Sequence, residues 1–159
     1  MSGRLLGIDL GERRIGLAIA DGAGGRTRPL ATIHRARTVG EDARAIGLIV
    51  EELGVAELIV GLPLEASGNE GPMAAAARLW ASEVSRALGV PAAMRDERLT
   101  SHLAETRLGP MKRGRSGGAP SAAQRAAYHA RVDREAAAII LQDELDARAA
   151  LGAGGGRAR

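Results

Sequence analysis

Two short apolar runs, Arg4–Leu10 (RLLGIDL) and Arg14–Ala20 (RIGLAIA), are separated only by Gly11-Glu12-Arg13. So short a gap favours a tight antiparallel connection, and the spacing predicts two paired strands with Gly11 in the turn. Asp21–Arg26 is glycine-rich and turn-like. Thr27–Ile33 predicts a third strand, and Pro29 within it argues for a sheet edge, because proline has no N–H to give to a ladder. From Gly40 to Leu53 the apolar residues Ala43, Ile46, Ile49, Val50 and Leu53 recur at helical spacing, and Gly54 stops the helix. Glu57–Leu62 (ELIVGL) is nearly continuously apolar and reads as a central buried strand. A loop with Gly68, Asn69 and Gly71 leads to an Ala-rich helix over Met73–Leu88, then a strand over Val90–Arg95 and a helix over Leu99–Leu108. Gly109–Ser121 reads as a loop, and Asp133–Leu151 as a final helix.

This order predicts a mixed α/β sheet with helices on its faces: three antiparallel strands, then strands alternating with helices. One domain over residues 1–151 is expected, with a flexible basic loop at 109–121 and a disordered low-complexity tail at 152–159.

Composition narrows the chemistry. The 159 residues include no Cys, which removes disulfides, thiolate metal sites and cysteine nucleophiles. Trp80 and Tyr128 are the only aromatic residues, too few for a platform that stacks successive bases. His34, His102 and His129 are scattered, and no histidine-rich metal site is expected. The formal charge of +3 is unevenly placed: Arg107, Lys112, Arg113, Arg115, Arg125 and Arg131 fall in a stretch without acids, and the rest of the chain is net negative. Such a cluster suits a polyanion, whose neutralised phosphates release counterions; a solvated basic loop is the plainer reading. No apolar run reaches the ~20 residues of a membrane span, and the N-terminus is unlike a signal peptide, so a cytoplasmic location is expected.

Three acids stand where chemistry could use them. Asp9 interrupts an apolar strand, where a carboxylate is costly unless it meets a cation, a metal or several donors; capping the Gly11 turn is the alternative. Asp96 and Glu97 alternate sides of an extended chain, so only one need face Asp9; a helix cap would also explain one of them. Asp133 is expected to begin the last helix, where capping alone would be reason enough. Together with a basic segment and no Cys, carboxylates of this kind suit Mg²⁺ or Mn²⁺, and point to metal-dependent hydrolysis of nucleic acid.

Gly7-Ile8-Asp9-Leu10-Gly11, Arg14-Ile15-Gly16-Leu17-Ala18, Ile59-Val60-Gly61-Leu62-Pro63-Leu64, Asp96-Glu97-Arg98-Leu99-Thr100 and Val132-Asp133 occur in order. Collinear over roughly Leu5–Leu145, they resemble the YqgF (RuvX-like) family, described both as Holliday junction resolvases and as pre-16S rRNA maturation nucleases. The resemblance implies a ribonuclease H-like fold, with a five-stranded mixed sheet whose first three strands are antiparallel, flanked by helices. It also implies that Asp9, Glu97 and Asp133 are the catalytic, metal-holding acids. Arg14, Arg107, Lys112, Arg113, Arg115, Arg125 and Arg131 are expected to hold nucleic-acid phosphates. Two departures from the family pattern stand out: Glu65 replaces a usual Asn, and Glu135 adds an acid after Asp133. Thr100 and His102 are expected to be structural.

The glycine-flanked Asp9 hairpin also looks like that of actin-like and sugar-kinase ATPases, but those need a second domain for which this chain is too short. A non-catalytic RNA-binding module is the remaining rival. Among nuclease substrates, precursor 16S rRNA is the expectation and four-way DNA the alternative. A monomer would suit RNA trimming, and a homodimer the symmetric cutting of a junction.

Overall fold

The computed structural model describes residues 3–22, 24–98 and 100–154. Along them run β1 (Arg4–Leu10), β2 (Arg14–Ala20), β3 (Thr27–His34), α1 (Val39–Leu53), β4 (Val55–Leu62), α2 (Pro72–Leu88), β5 (Ala92–Asp96), α3 (Thr100–Leu108) and α4 (Ala122–Gly154). The strands form one five-stranded sheet in the order β3-β2-β1-β4-β5. β1–β2 and β2–β3 are antiparallel, whereas β4 joins β1, and β5 joins β4, in parallel. The expected mixed α/β sheet is therefore present, with the Pro29 strand at its edge.

Side-chain alternation sorts the sheet into two unlike faces. Leu6 and Ile8 of β1, Ile15, Leu17 and Ile19 of β2, and Leu58 and Val60 of β4 pack with Ile46 of α1 and Trp80 and Val84 of α2. On the opposite face Leu5, Ala18, Ala20 and Ile59 meet Ala137, Ile140 and Leu141 of α4. That second face carries Gly7, Gly16, Ala18 and Ala20 among its larger residues, which lets α4 lie close. A Cβ on Gly7 would stand 2.7 Å from the Ala137 carbonyl oxygen, and one on Gly16 would run into the Asp133 carbonyl. The Gly7 and Gly16 positions thus bring the backbone of α4, and Asp133 with it, down onto β1 and β2.

Local chemistry explains the boundaries. Thr38 Oγ1 accepts the Glu41 N–H at 3.2 Å and caps α1, and Gly54 ends it in the left-handed conformation (φ 65°). Gly11 earns its place by close approach instead. Its φ is not positive, its N–H donates to the Arg14 carbonyl at 2.9 Å, and a Cβ there would lie 2.8 Å from that oxygen. Asp42, only 2 % exposed, accepts from Trp80 Nε1 (3.0 Å) and from the Ala36 N–H (2.7 Å), joining the start of α1 to α2.

Two sequence expectations change. The last helix begins at Ala122, not Asp133, because Ser121 and Gln124 form a reciprocal capping box: Gln124 N–H donates to Ser121 Oγ (3.1 Å), and Ser121 N–H to Gln124 Oε1 (2.8 Å). Asp133 is consequently an interior helical residue and caps nothing. The same helix continues through Gly154, so residues 152–154 are helical; 155–159 lie outside the described residues, as does Leu99. The 109–121 connection carries its own turn, with Gly117 N–H donating to the Gly114 carbonyl and Gly114 N–H to that of Gly118. No helix among the described residues is long and apolar enough to cross a membrane.

Candidate active site

Asp9 lies near the end of β1, with the parity of Leu5 and Gly7, so it points to the α4 face. Its register partner on β2 is Gly16, the residue on which α4 closes at Asp133. Glu97 follows β5 with the parity of Ala93, which packs on the α4 side. Gly61 of β4 leaves the space that Glu97 needs, since a Cβ there would collide with Glu97 Oε2. Asp96 takes the other side and pairs with Arg98, its Oδ1 accepting the Arg98 N–H at 2.9 Å. Of the adjacent acids, Glu97 is therefore the one that meets Asp9.

Asp9, Glu97 and Asp133 line one cleft of about 630 Å³, together with residues of the 63–73 segment and the start of α3. Burial pushes the Asp9 carboxyl up to about 6, against a lowering by its hydrogen bond with Glu97; the Asp133 charge raises it further. Burial, followed by the Asp9 charge and their shared hydrogen bond, pushes Glu97 up to about 9. The pair therefore shares one proton near neutral pH, with Glu97 as donor and Asp9 as acceptor. Asp133 has a partner outside the pair: Arg14 Nε stands 2.5 Å from its Oδ2, across 119 residues of sequence.

The donor set suits a hard divalent cation, being three carboxylates without sulfur or imidazole at their centre. Gly61 keeps the Glu97 carboxylate unobstructed, and a proton held between two buried acids is one that a cation can displace. As placed, no three His, Cys, Asp or Glu side chains among the described residues stand ready to hold an ion.

The basic residues sit apart from the cleft lining. Arg107 is on α3 and pairs with Glu135 at 3.3 Å. Lys112, Arg113 and Arg115 occupy the connection, where an Arg113 guanidinium N–H donates to the Gly117 carbonyl at 3.5 Å. Arg125 and Arg131 are on the first turns of α4, and Arg125 donates to the Pro120 carbonyl at 2.6 Å. Glu135 therefore braces α3 against α4 and adds no carboxylate to the cleft. Glu65, in contrast, lines it, with Gly68 (φ 88°) turning the loop behind. His102 lines it as well, although the sequence offered only its place near a helix start as a signal.

A family model described as "RuvX: Holliday junction resolvase" matches residues 3–147. The chain belongs to the RuvX family. A RuvX relative from Anaeromyxobacter sp. (strain K), named "Putative pre-16S rRNA nuclease", is 46% identical over 146 residues, covering 92% of this chain and 98% of its own. A relative of the same name from Chloroflexus aurantiacus is 41% identical over 144 residues, covering 91% and 87%. Thermus thermophilus RuvC, solved in complex with a Holliday junction substrate, shares the fold at a TM-score of 0.52 and 16% identity, over 91% of this chain and 95% of that one. The RuvX motif blocks and the ribonuclease H-like fold agree with the sequence reading, and membership gives the chain its chemistry, phosphodiester hydrolysis by a nuclease.

Proposed function

We propose that this RuvX protein is a Mg²⁺- or Mn²⁺-dependent nuclease that matures the 5′ end of precursor 16S rRNA. The convergence of Asp9, Glu97 and Asp133 on one cleft supports the chemistry, and the names of relatives that match it nearly end to end support the substrate. Asp9, Glu97 and Asp133 would hold the cation or cations. When bound, these would supply charge stabilisation at the phosphate and a nucleophilic water at neutral pH.

The chain's own residues do the rest. The Asp9–Glu97 pair gives up its proton and presents two carboxylates from the ends of β1 and β5, which flank β4 in the one sheet. Gly61 keeps that space open. Arg107, Lys112, Arg113, Arg115, Arg125 and Arg131 grip the backbone through phosphates, which fixes position without reading sequence. With two aromatic residues in the chain, selectivity rests on the shape of the nucleic acid. The expected cellular setting is the cytoplasm.

The description of the RuvX family as Holliday junction resolvases favours one second reading, cleavage of four-way DNA. The discriminating experiment offers labelled precursor 16S rRNA and a labelled four-way junction to the purified protein with Mg²⁺ or Mn²⁺, with Asp9→Asn as control and the oligomeric state measured alongside. Cleavage of the RNA leader by a monomer is the expected result. Cleavage of the junction alone, by a dimer, would overturn the RNA reading.

A further inference from the structure

Asp133 stands between two openings. One is the carboxylate cleft; the other is a groove of about 280 Å³ lined by Gly11, Glu12, Arg13, Arg14 and Asp133 itself. Arg14 lines the groove but not the cleft, and its Nε holds Asp133 Oδ2 at 2.5 Å. The two side chains are 34% and 20% exposed, so the pair is reachable by solutes yet partly desolvated. Asp133 thus lines the cleft with Asp9 and Glu97 while its carboxylate is engaged by Arg14.

A guanidinium does not lose its proton, so near neutral pH the pair parts as each group takes another partner. Either exchange alone leaves the abandoned group with its charge uncompensated in a partly buried place. Both together satisfy both groups: a divalent cation for Asp133, and a phosphate, which matches the planar fork of Arg, for Arg14. Arg13 lines the same groove and adds a second cation beside it.

We propose that Arg14 is a positioning residue that couples cation loading to phosphate binding, holding Asp133 in reserve until a substrate phosphate enters the groove and takes Arg14 away. The inference rests on the metal-dependent nuclease reading. It adds that the cation and the nucleic acid each strengthen the binding of the other through this exchange, by reciprocal factors.

The test measures Ca²⁺ affinity by calorimetry for the wild type, Arg14→Gln and Arg14→Lys, each with and without a short RNA duplex bearing a 5′ extension. Ca²⁺ accepts carboxylate oxygens in flexible geometry, and RNA integrity is checked after each titration. In the free protein, Arg14→Gln is expected to bind Ca²⁺ roughly three- to fivefold more tightly, the size of a partly exposed ion pair. In the RNA complex, where Arg14 has already left Asp133, the substitution is expected to leave Ca²⁺ affinity nearly unchanged. Arg14→Lys, which keeps the charge, is expected to retain most of the coupling. Equal changes in both states, or no change in the free protein, would overturn the proposal. A wild type that binds neither Ca²⁺ nor Mn²⁺ would instead sink the metal-dependent reading beneath it. Thermal unfolding of each variant shows whether the fold is intact.

Discussion

Glu97→Gln should make the metal-free protein more stable, by an amount that depends on pH in a defined way. Glu97 is raised from 4.5 to about 9 by burial and by the charge and hydrogen bond of Asp9. The native state therefore keeps a proton that the unfolded chain releases above pH 4.5. A raised carboxyl confers its relative stability below the unfolded value, and that stability is lost as pH rises toward the folded value. Each pH unit is about 1.4 kcal/mol, so at pH 7 the burden is about 3 kcal/mol, set by the distance from 4.5 to 7. Gln carries a permanent N–H donor toward Asp9 and escapes this burden. Relaxation and water entry make the figure a ceiling, and for a chain of this length the gain corresponds to a Tm increase of roughly 5–10 °C. Thermal unfolding in EDTA, followed by fluorescence of the buried Trp80, reads it directly. The Gln variant should match the wild type near pH 4.5 and pull ahead steadily to pH 8.5. A difference that does not change with pH, or a Gln variant less stable throughout, would refute the shared-proton account.

Other consequences are open to measurement. Cation binding must expel the shared proton, so Mn²⁺ affinity should rise from pH 6.5 to 8.5, by up to about tenfold per unit while Glu97 is still protonated; calorimetry showing a flat profile would contradict this. Gly16→Ala places a Cβ against the Asp133 carbonyl, which is helix backbone and cannot yield, whereas Gly61→Ala meets the Glu97 carboxylate and the tip of Ile140. Gly16→Ala should therefore cost about 3 kcal/mol in denaturant unfolding, and Gly61→Ala less stability but most of the cleavage rate. Replacing Lys112, Arg113 and Arg115 together by Ala should reduce the salt slope of RNA binding by about two to three units on a log–log plot, leaving thermal stability nearly unchanged.

The fold was legible because its signals are local. Short apolar runs, Gly54 as a helix stop, and Pro29 at an edge each act within a few residues. The start of α4 was not, because its first turns contain Ala122, Ala123, Ala126, Ala127 and Ala130 with Tyr128 as the one larger apolar residue, and periodicity becomes visible only from Val132. The Ser121–Gln124 capping signal is present in the sequence but follows a glycine-rich stretch that reads as loop. In the cleft, strand parity could have selected Glu97 over Asp96, since only the odd-numbered residue shares the Ala93 side. The Arg14–Asp133 pair had no such handle. It joins residues 119 apart and depends on how closely α4 descends onto Gly16. The bracing of Arg107 by Glu135 was equally hidden, as it follows from α3 packing on α4.

In the proposed reaction a phosphodiester is hydrolysed at a cation held by Asp9 and its neighbouring acids. Cleavage of 5′-labelled precursor 16S rRNA in Mg²⁺ or Mn²⁺, compared between the wild type and Asp9→Asn, tests it most directly when RNA binding and unfolding are measured on the same preparations. Asp9→Asn should fold and bind RNA normally yet cleave roughly a hundredfold or more slowly, because cation stabilisation worth several kcal/mol is lost. Cleavage at the wild-type rate by a folded Asp9→Asn protein would contradict the account.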